Sequence, residues 1–204
     1  MSGASLDLAG MLAAVFFAGY QLGGLPFGAW MARLGGADVF AVGSRSMGTM
    51  NVARNVGVRW GVATFLLDVG KGAAASAVGV GVATLFAPNA TLTLGLVAGV
   101  GAVVGHAWSS YVGFRGGKAL APAFGMTLPI LPAVGLAALV VLVVAIAVTR
   151  RATLATVATL AGFPVITSVV LTLRAWPTDD LVRAALASAV IAAVSVRKHL
   201  ASPR

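Results

Sequence analysis

Cysteine is absent from the 204-residue chain, and so is glutamate, because all five acids are aspartate. Without a thiol there can be no disulfide, no thiolate metal site and no cysteine nucleophile. Charge of either sign is scarce: 9% of residues are charged, where a soluble domain carries about 25%. That shortage excludes an ordinary cytosolic globule, an intrinsically disordered chain and a disulfide-stapled secreted module. What is present is apolar, at 59% of residues, and this composition reads as an all-α, polytopic transmembrane bundle forming a single domain over residues 1–204.

Basic residues outnumber acidic ones fourteen to five, for a formal net charge of +9. In a soluble chain such an excess would point to nucleic acid. In a membrane chain, cytoplasmic loops collect Lys and Arg and anionic headgroups attract them, so nucleic acid is not an expected partner, whereas membrane lipids are. No basic segment precedes the first apolar run, so a cleaved signal peptide is not expected.

Apolar runs poor in charge mark the spans. Leu8 to Ala32 is the first, and Arg33 to Arg59 reads as a basic loop. Spans follow from Trp60 to Phe86, interrupted by Asp68 and Lys71, and from Thr91 to His106. Ala119 to Val148 contains Pro122, Pro129 and Pro132, while Leu154 to Leu173 and Leu181 to Val196 are the last two runs. Two full crossings want about 40 residues, which Ala119 to Val148 lacks. The positive-inside rule nevertheless favours two, broken near Pro129 and Pro132. Then Arg45, Arg54, Arg115, Lys118, Arg150, Arg151, Arg197 and Lys198 all face the cytoplasm and Asp179 and Asp180 lie outside. The expectation is about seven spans, N-terminus outside and C-terminus cytoplasmic.

Two loops stand apart. Gly43-Ser44-Arg45-Ser46-Met47-Gly48-Thr49-Met50-Asn51-Val52-Ala53-Arg54 combines hydroxyls, an amide and guanidiniums with glycines that free backbone N–H groups. That inventory suits a phosphate, although Thr49 stands where a Walker loop has lysine. A basic membrane-surface loop explains the composition equally well. The second loop, from Gly105-His106 to Arg115-Gly116-Gly117-Lys118, again sets cations beside flexible backbone. His106 is a candidate phosphate donor or general base. Asp68 and Lys71 lie three apart on an apolar helix and can pair, either to support a site or to lock helices together. There is no HEXXH, acidic metal cluster, G-x-S-x-G elbow or H-x4-D box. An enzyme built from these loops needs a preactivated substrate, and no cofactor or metal is expected.

Together these elements resemble the acyl-phosphate:glycerol-3-phosphate acyltransferases, bacterial integral membrane enzymes. Their G-S-x-P-x-G and G-S-G-N-I-G-A-T-N-V-x-R are similar to Gly23 to Gly28 and Gly43 to Arg54 here. D-x-x-K-G matches Asp68 to Gly72, and G-H-x-x-P-x-x-x-x-F-K-G-G-K-G-x-A-T resembles Gly105 to Pro122. A later S-L-A-S resembles Thr153-Leu154-Ala155-Thr156. The order covers nearly the whole chain.

The resemblance implies transfer of an acyl group from acyl phosphate to the 1-hydroxyl of glycerol 3-phosphate. The products would be lysophosphatidate and phosphate, made by substrate-assisted catalysis in the inner membrane with the site facing the cytoplasm. Ser44, Arg54 and Lys118 are the expected catalytic residues. Gly43, Gly48, Asn51, His106, Arg115, Gly116, Gly117 and His199 are the expected phosphate-binding set, and Asp68 with Lys71 a structural or site-supporting pair. The chain departs from the pattern at Gly24 (serine), Arg45-Ser46 (Gly-Asn), Ser109 (proline), Ala119 (glycine) and Pro122 (threonine). The terminal H-R-E-N becomes Val196-Arg197-Lys198-His199. A divergent paralogue with another acceptor or no activity, and a small anion or lipid transporter, are the competing readings. Acyl-chain length and oligomeric state are not legible in the sequence.

Overall fold

The computed structural model describes residues 7–201, and among them the regular structure is helical, with no strand. Helix α1 (Leu8–Gly24) is capped by Asp7, whose carboxylate accepts from the Gly10 N–H at 2.7 Å. It ends at Leu25-Pro26 because a residue before proline is driven out of the helical region. Helix α2 (Phe27–Leu34) resumes beyond the break. Then come α3 (Thr49–Asn55), α4 (Val58–Phe86), α5 (Thr91–Ala107) and α6 (Leu120–Thr127). They are followed by α7 (Pro132–Thr149), α8 (Ala152–Ala161), α9 (Phe163–Leu173) and α10 (Thr178–Leu200).

Among the described residues, four stretches are long and apolar enough to cross a membrane: Leu8–Leu34, Val58–Phe86, Pro88–Val112 and Pro132–Thr149. Helices α8 and α9, bent by 55° at Gly162, make a fifth if taken together. Their outward faces keep Leu66, Leu85, Leu136, Val140, Val143 and Val165 exposed, as lipid-facing helices do. Helix α10 has charges at both ends, Asp179, Asp180 and Arg183 at one and Arg197 and Lys198 at the other, around its apolar middle, Ala184 to Val196. Helix α6 has eight residues, about 12 Å at 1.5 Å per residue and well short of a bilayer core. The helix break between Thr127 and Pro132 falls where the prolines predicted one.

One expectation is corrected. Arg33 to Arg59 is not all loop, since it contains α3, and α4 begins at Val58 rather than Trp60. The cause is a small local core. Val39, Met47 and Val52 bury against Ala29 and Ala32 of α2, which pays for ordering a seven-residue helix that propensity alone would not hold.

Small residues set how closely the helices approach. A Cβ at Gly101 or Gly105 of α5 would strike the carbonyls of Phe16 or Tyr20 in α1, and one at Gly19 or Gly23 would strike Ala98 or Ala102. These helical glycines are therefore packing residues. The close α1–α5 contact carries the end of α1 against the loop after α5. Ser109 Oγ donates to the Gly24 carbonyl at 2.6 Å, and Tyr20 Oη donates to the Trp108 carbonyl at 2.8 Å.

Candidate active site

The loop before α3 is organised by one amide. Asn51 Nδ2 lies within donating distance of the carbonyls of Ser46 (2.8 Å), Val39 (3.1 Å) and Val42 (3.2 Å). Its Oδ1 accepts from the Ser44 N–H at 3.0 Å and from Asn55 Nδ2 at 3.0 Å. The side chain is buried and its hydrogen-bonding capacity is fully used, so Asn51 shapes the loop rather than reaching a ligand. Gly43, with φ of +52°, passes so close that a Cβ would collide with Asn51 and Asn55. The turn swings Ser44 and Ser46 together, with their hydroxyl oxygens 3.1 Å apart.

Those hydroxyls face a cavity of about 300 Å³. Gly48, Thr49 and Met50 continue its wall, and α3 adds Arg54. Helix α4 adds Phe65 and Asp68, α5 adds His106, and the loop into α6 adds Lys118. Leu142 and Ile146 of α7, Thr153 and Thr156 of α8 and His199 of α10 close it. The structure thus gathers Ser44, Gly48, Arg54, Asp68, His106, Lys118 and His199 from stretches far apart in the chain. Lys118 is half-buried, and burial together with the Arg54 guanidinium pushes its pKa below the ordinary lysine value. Two cations that line one cavity and repel each other across it form a site for an anion.

Lys118 is aimed by the glycines before it. The Gly117 N–H donates to the His106 carbonyl at 3.0 Å, and a Cβ on Gly116 or Gly117 would strike the end of α5 or the His106 ring. Gly116 and Gly117 therefore lie behind the cavity wall as spacers. Arg115 points elsewhere: its guanidinium stacks on Phe40 at 4.4 Å and its Nε donates to the Val112 carbonyl at 3.3 Å. Of the expected phosphate ligands, Gly43, Asn51, Arg115, Gly116 and Gly117 thus do not line the cavity, and each has a structural task instead.

Behind the cavity sits a buried ionic cluster. Lys71 Nζ is 2.7 Å from Asp68 Oδ1 and donates to the Leu25 carbonyl at 3.0 Å. His106 Nδ1 stands 3.6 Å from the same Asp68 oxygen. The pair therefore ties α4 to the α1–α2 break and presents one acid at the cavity's inner end. Sequence reasoning did not place Ser46, Thr49, Thr153 and Thr156 among the site residues, although the element containing Thr153 and Thr156 carried a signal. It also missed the apolar wall of Phe65, Leu142 and Ile146, for which there was none.

A second, apolar cavity of about 60 Å³ shares Phe65, Leu120 and Leu142 with the first. It continues between α6, α7 and α8 along Ala138, Leu139 and Leu160 to Phe163. The two volumes adjoin: the first sets cations and hydroxyls against an apolar wall, and the second is almost wholly apolar.

Comparison with known proteins gives a consistent picture. Residues 13–203 match the model of a family described as glycerol-3-phosphate acyltransferase. The chain is 38% identical over 122 residues to a glycerol-3-phosphate acyltransferase of Acholeplasma laidlawii, covering 58% of this chain and 52% of that one. It is 44% identical over 123 residues to one of Rhodospirillum rubrum, covering 59% and 57%. The matched stretch thus spans a little over half the length of these curated relatives. Among solved structures, PlsY, an integral membrane glycerol 3-phosphate acyltransferase in its glycerol 3-phosphate form, superposes with a TM-score of 0.76 at 27% identity, covering 93% of this chain and 88% of that one. Its lysophosphatidic acid form superposes with the same score at 26% identity, covering 92% and 87%. With a family model matched over nearly its whole length and a fold shared with PlsY, the chain belongs to the glycerol-3-phosphate acyltransferase family.

Proposed function

We propose that this protein transfers an acyl group from acyl phosphate to the 1-hydroxyl of glycerol 3-phosphate, releasing lysophosphatidate and inorganic phosphate for phospholipid synthesis. The observation that carries the reading is the junction of a cationic, hydroxyl-lined cavity with an apolar one. A substrate with a phosphate head and an acyl tail fits both halves at once. Arg54, Lys118 and Ser44 hold the anions of donor and acceptor, offsetting their mutual repulsion so that hydroxyl and carbonyl meet at reacting distance. The same cations stabilise charge developing on the carbonyl oxygen and the departing phosphate. An acyl phosphate donor suits a site with no cysteine: the activated group arrives with the substrate, and no acyl-enzyme is required. No cofactor takes part.

The test is purified protein in detergent with an acyl phosphate and radiolabelled glycerol 3-phosphate. Labelled lysophosphatidate is expected, and its absence overturns the reading. Ligand flux into proteoliposomes without acyl transfer would favour the transporter alternative.

We also propose a single inner-membrane domain with seven crossings, α6 being a short one, an outside N-terminus and a cytoplasmic site and C-terminus. The reading is supported by parity. Lys118, Ala152 and His199 line one cavity, so the chain leaves and regains one face between each successive pair. Two crossings in each interval satisfy this and keep the basic loops inside. Because the chain has no cysteine, one introduced at Asp179 is a unique reporter. It is expected to react with an impermeant thiol reagent from outside intact cells, and labelling from the cytoplasm alone would refute the topology.

A further inference from the structure

Between α8 and α9 the chain reads Gly162-Phe163-Pro164. Proline has no N–H to continue a helical ladder, and its ring clashes with the preceding turn. The helix therefore breaks here, and its two halves meet at 55°. At the break the Phe163 side chain is buried, at 6% exposure, and belongs to the main apolar core with Met126, Leu131 and Val134. Val165, on the next turn of chain, faces outward instead.

Phe163 borders two voids. One is the apolar cavity of about 60 Å³, which runs on from the main cavity past Phe65, Leu120 and Leu142. The other is a void of about 10 Å³ walled by Met126, Leu131, Val134 and Ile191. Of the residues lining these two volumes, Phe163 is the one they share. Leu139 in the wall of the larger cavity is exposed, whereas Thr159, Leu160 and Phe163 are buried. A chain that enters from the cationic cavity therefore has apolar walls along its path and a closed, protein-buried end, with Phe163 standing between that end and the smaller void.

We infer that Phe163 is the residue that limits acyl-chain length, its ring forming the floor of the site for the donor's tail. The inference rests on the proposed acyl-transfer reading and adds the choice of donor to it. Each methylene buried is worth roughly fourfold in binding, so preference rises with chain length while the cavity has room. Past the floor, a further methylene has to displace side chains in a close-packed core, and preference falls. A smaller side chain at position 163 joins the two voids and moves the limit to longer chains. Added bulk at Ala138, which lines the same cavity from α7, occupies the space a tail would fill and moves the limit to shorter ones.

The experiment measures kcat/KM for saturated acyl phosphates of stepped length, octanoyl to stearoyl, with glycerol 3-phosphate as acceptor. The full-length protein is compared with Phe163→Leu and Ala138→Leu. Dividing each variant's value by the parent's at the same length cancels both the donor's partitioning into detergent and any general loss of active protein. Phe163→Leu keeps an apolar side chain in the core, and Ala138→Leu tests the same floor from the opposite direction. The parent is expected to show an optimum length. For the donor two methylenes beyond it, Phe163→Leu should gain up to about 15-fold relative to the optimum donor, the value of two further buried methylenes, whereas Ala138→Leu should move the optimum to a shorter chain. A parent profile that rises without an optimum, or variant ratios that are the same at every length, would overturn the assignment of Phe163 and leave the acyltransferase reading standing. No product from the parent at any length would overturn that reading and this assignment with it.

Discussion

Arg54→Ala and Lys118→Ala are each expected to lower kcat/KM for acyl transfer by about 10²–10³-fold, the range seen when a preorganised donor to developing charge is removed. The two side chains converge on one cavity from α3 and from the loop before α6, and a bound anion relieves the repulsion between them. Lys118→Arg should not restore full activity, since a planar fork does not fill the position of a compact ammonium. Charge also makes the effect pH-dependent. Burial and the Arg54 guanidinium both disfavour the protonated amine, so Lys118 loses its proton at a lower pH than a free lysine. The alkaline limb of kcat/KM, which reports the free enzyme, is therefore expected below the ordinary lysine range. Arg54→Gln removes one source of repulsion and should move that limb to higher pH while lowering its plateau. Wild-type turnover in either alanine variant would show that the site lies elsewhere.

The positions at which this chain departs from the family pattern carry backbone information of their own. Arg45 and Ala119 stand where the pattern has glycine, and both adopt left-handed backbone, with φ of +51° and +61°. The pattern's glycines thus announced the conformation even where the residues differ, and each substitution stores about 1–2 kcal/mol of strain. Gly24 and Ser109 replace serine and proline, and they touch each other through the hydrogen bond from Ser109 Oγ to the Gly24 carbonyl.

Of the cavity-lining residues, those on loops were legible in the sequence, because polar side chains are conspicuous there against an apolar background. The cavity takes in only part of the phosphate-binding set that the sequence suggested, because composition does not separate a cavity-lining side chain from a scaffold one. Asn51 looked like a donor to phosphate, yet its amide is consumed by its own loop, and Arg115 looked like an anion clamp but stacks on Phe40. Helix α3 was hidden because what stabilises it is packing on α2, a contact without local periodicity. The apolar half of the site was equally hidden. Phe65, Leu142 and Ile146 lie on spans where nearly every residue is hydrophobic, so only the tertiary arrangement that brings them to one cavity distinguishes a cavity wall from a lipid-facing side chain.

The largest effect on stability is expected at Asp68 and Lys71. Both are buried, with relative exposures of 1% and 4%, and their charges are 2.7 Å apart. Removing one partner of a buried pair leaves an uncompensated charge and costs about 3–5 kcal/mol. The partners differ in what remains. After Asp68→Ala, Lys71 keeps only the Leu25 carbonyl and the face of Phe27, 5.7 Å from its Nζ. After Lys71→Met, Asp68 still has His106 at 3.6 Å, which can take up a proton and offset part of the loss. Asp68→Ala should therefore be the more damaging, and the Asp68→Ala/Lys71→Met double variant should be more stable than the sum of the single losses predicts. Unfolding midpoints in detergent for the four proteins of this cycle measure the coupling, expected at about 1–3 kcal/mol; strictly additive losses would show that the pair does not act as a unit. Turnover need not recover with stability. The double variant rebuilds a neutral interior but releases the Leu25 carbonyl and removes the acid at the inner end of the cavity, so it is expected to fold and yet acylate glycerol 3-phosphate slowly.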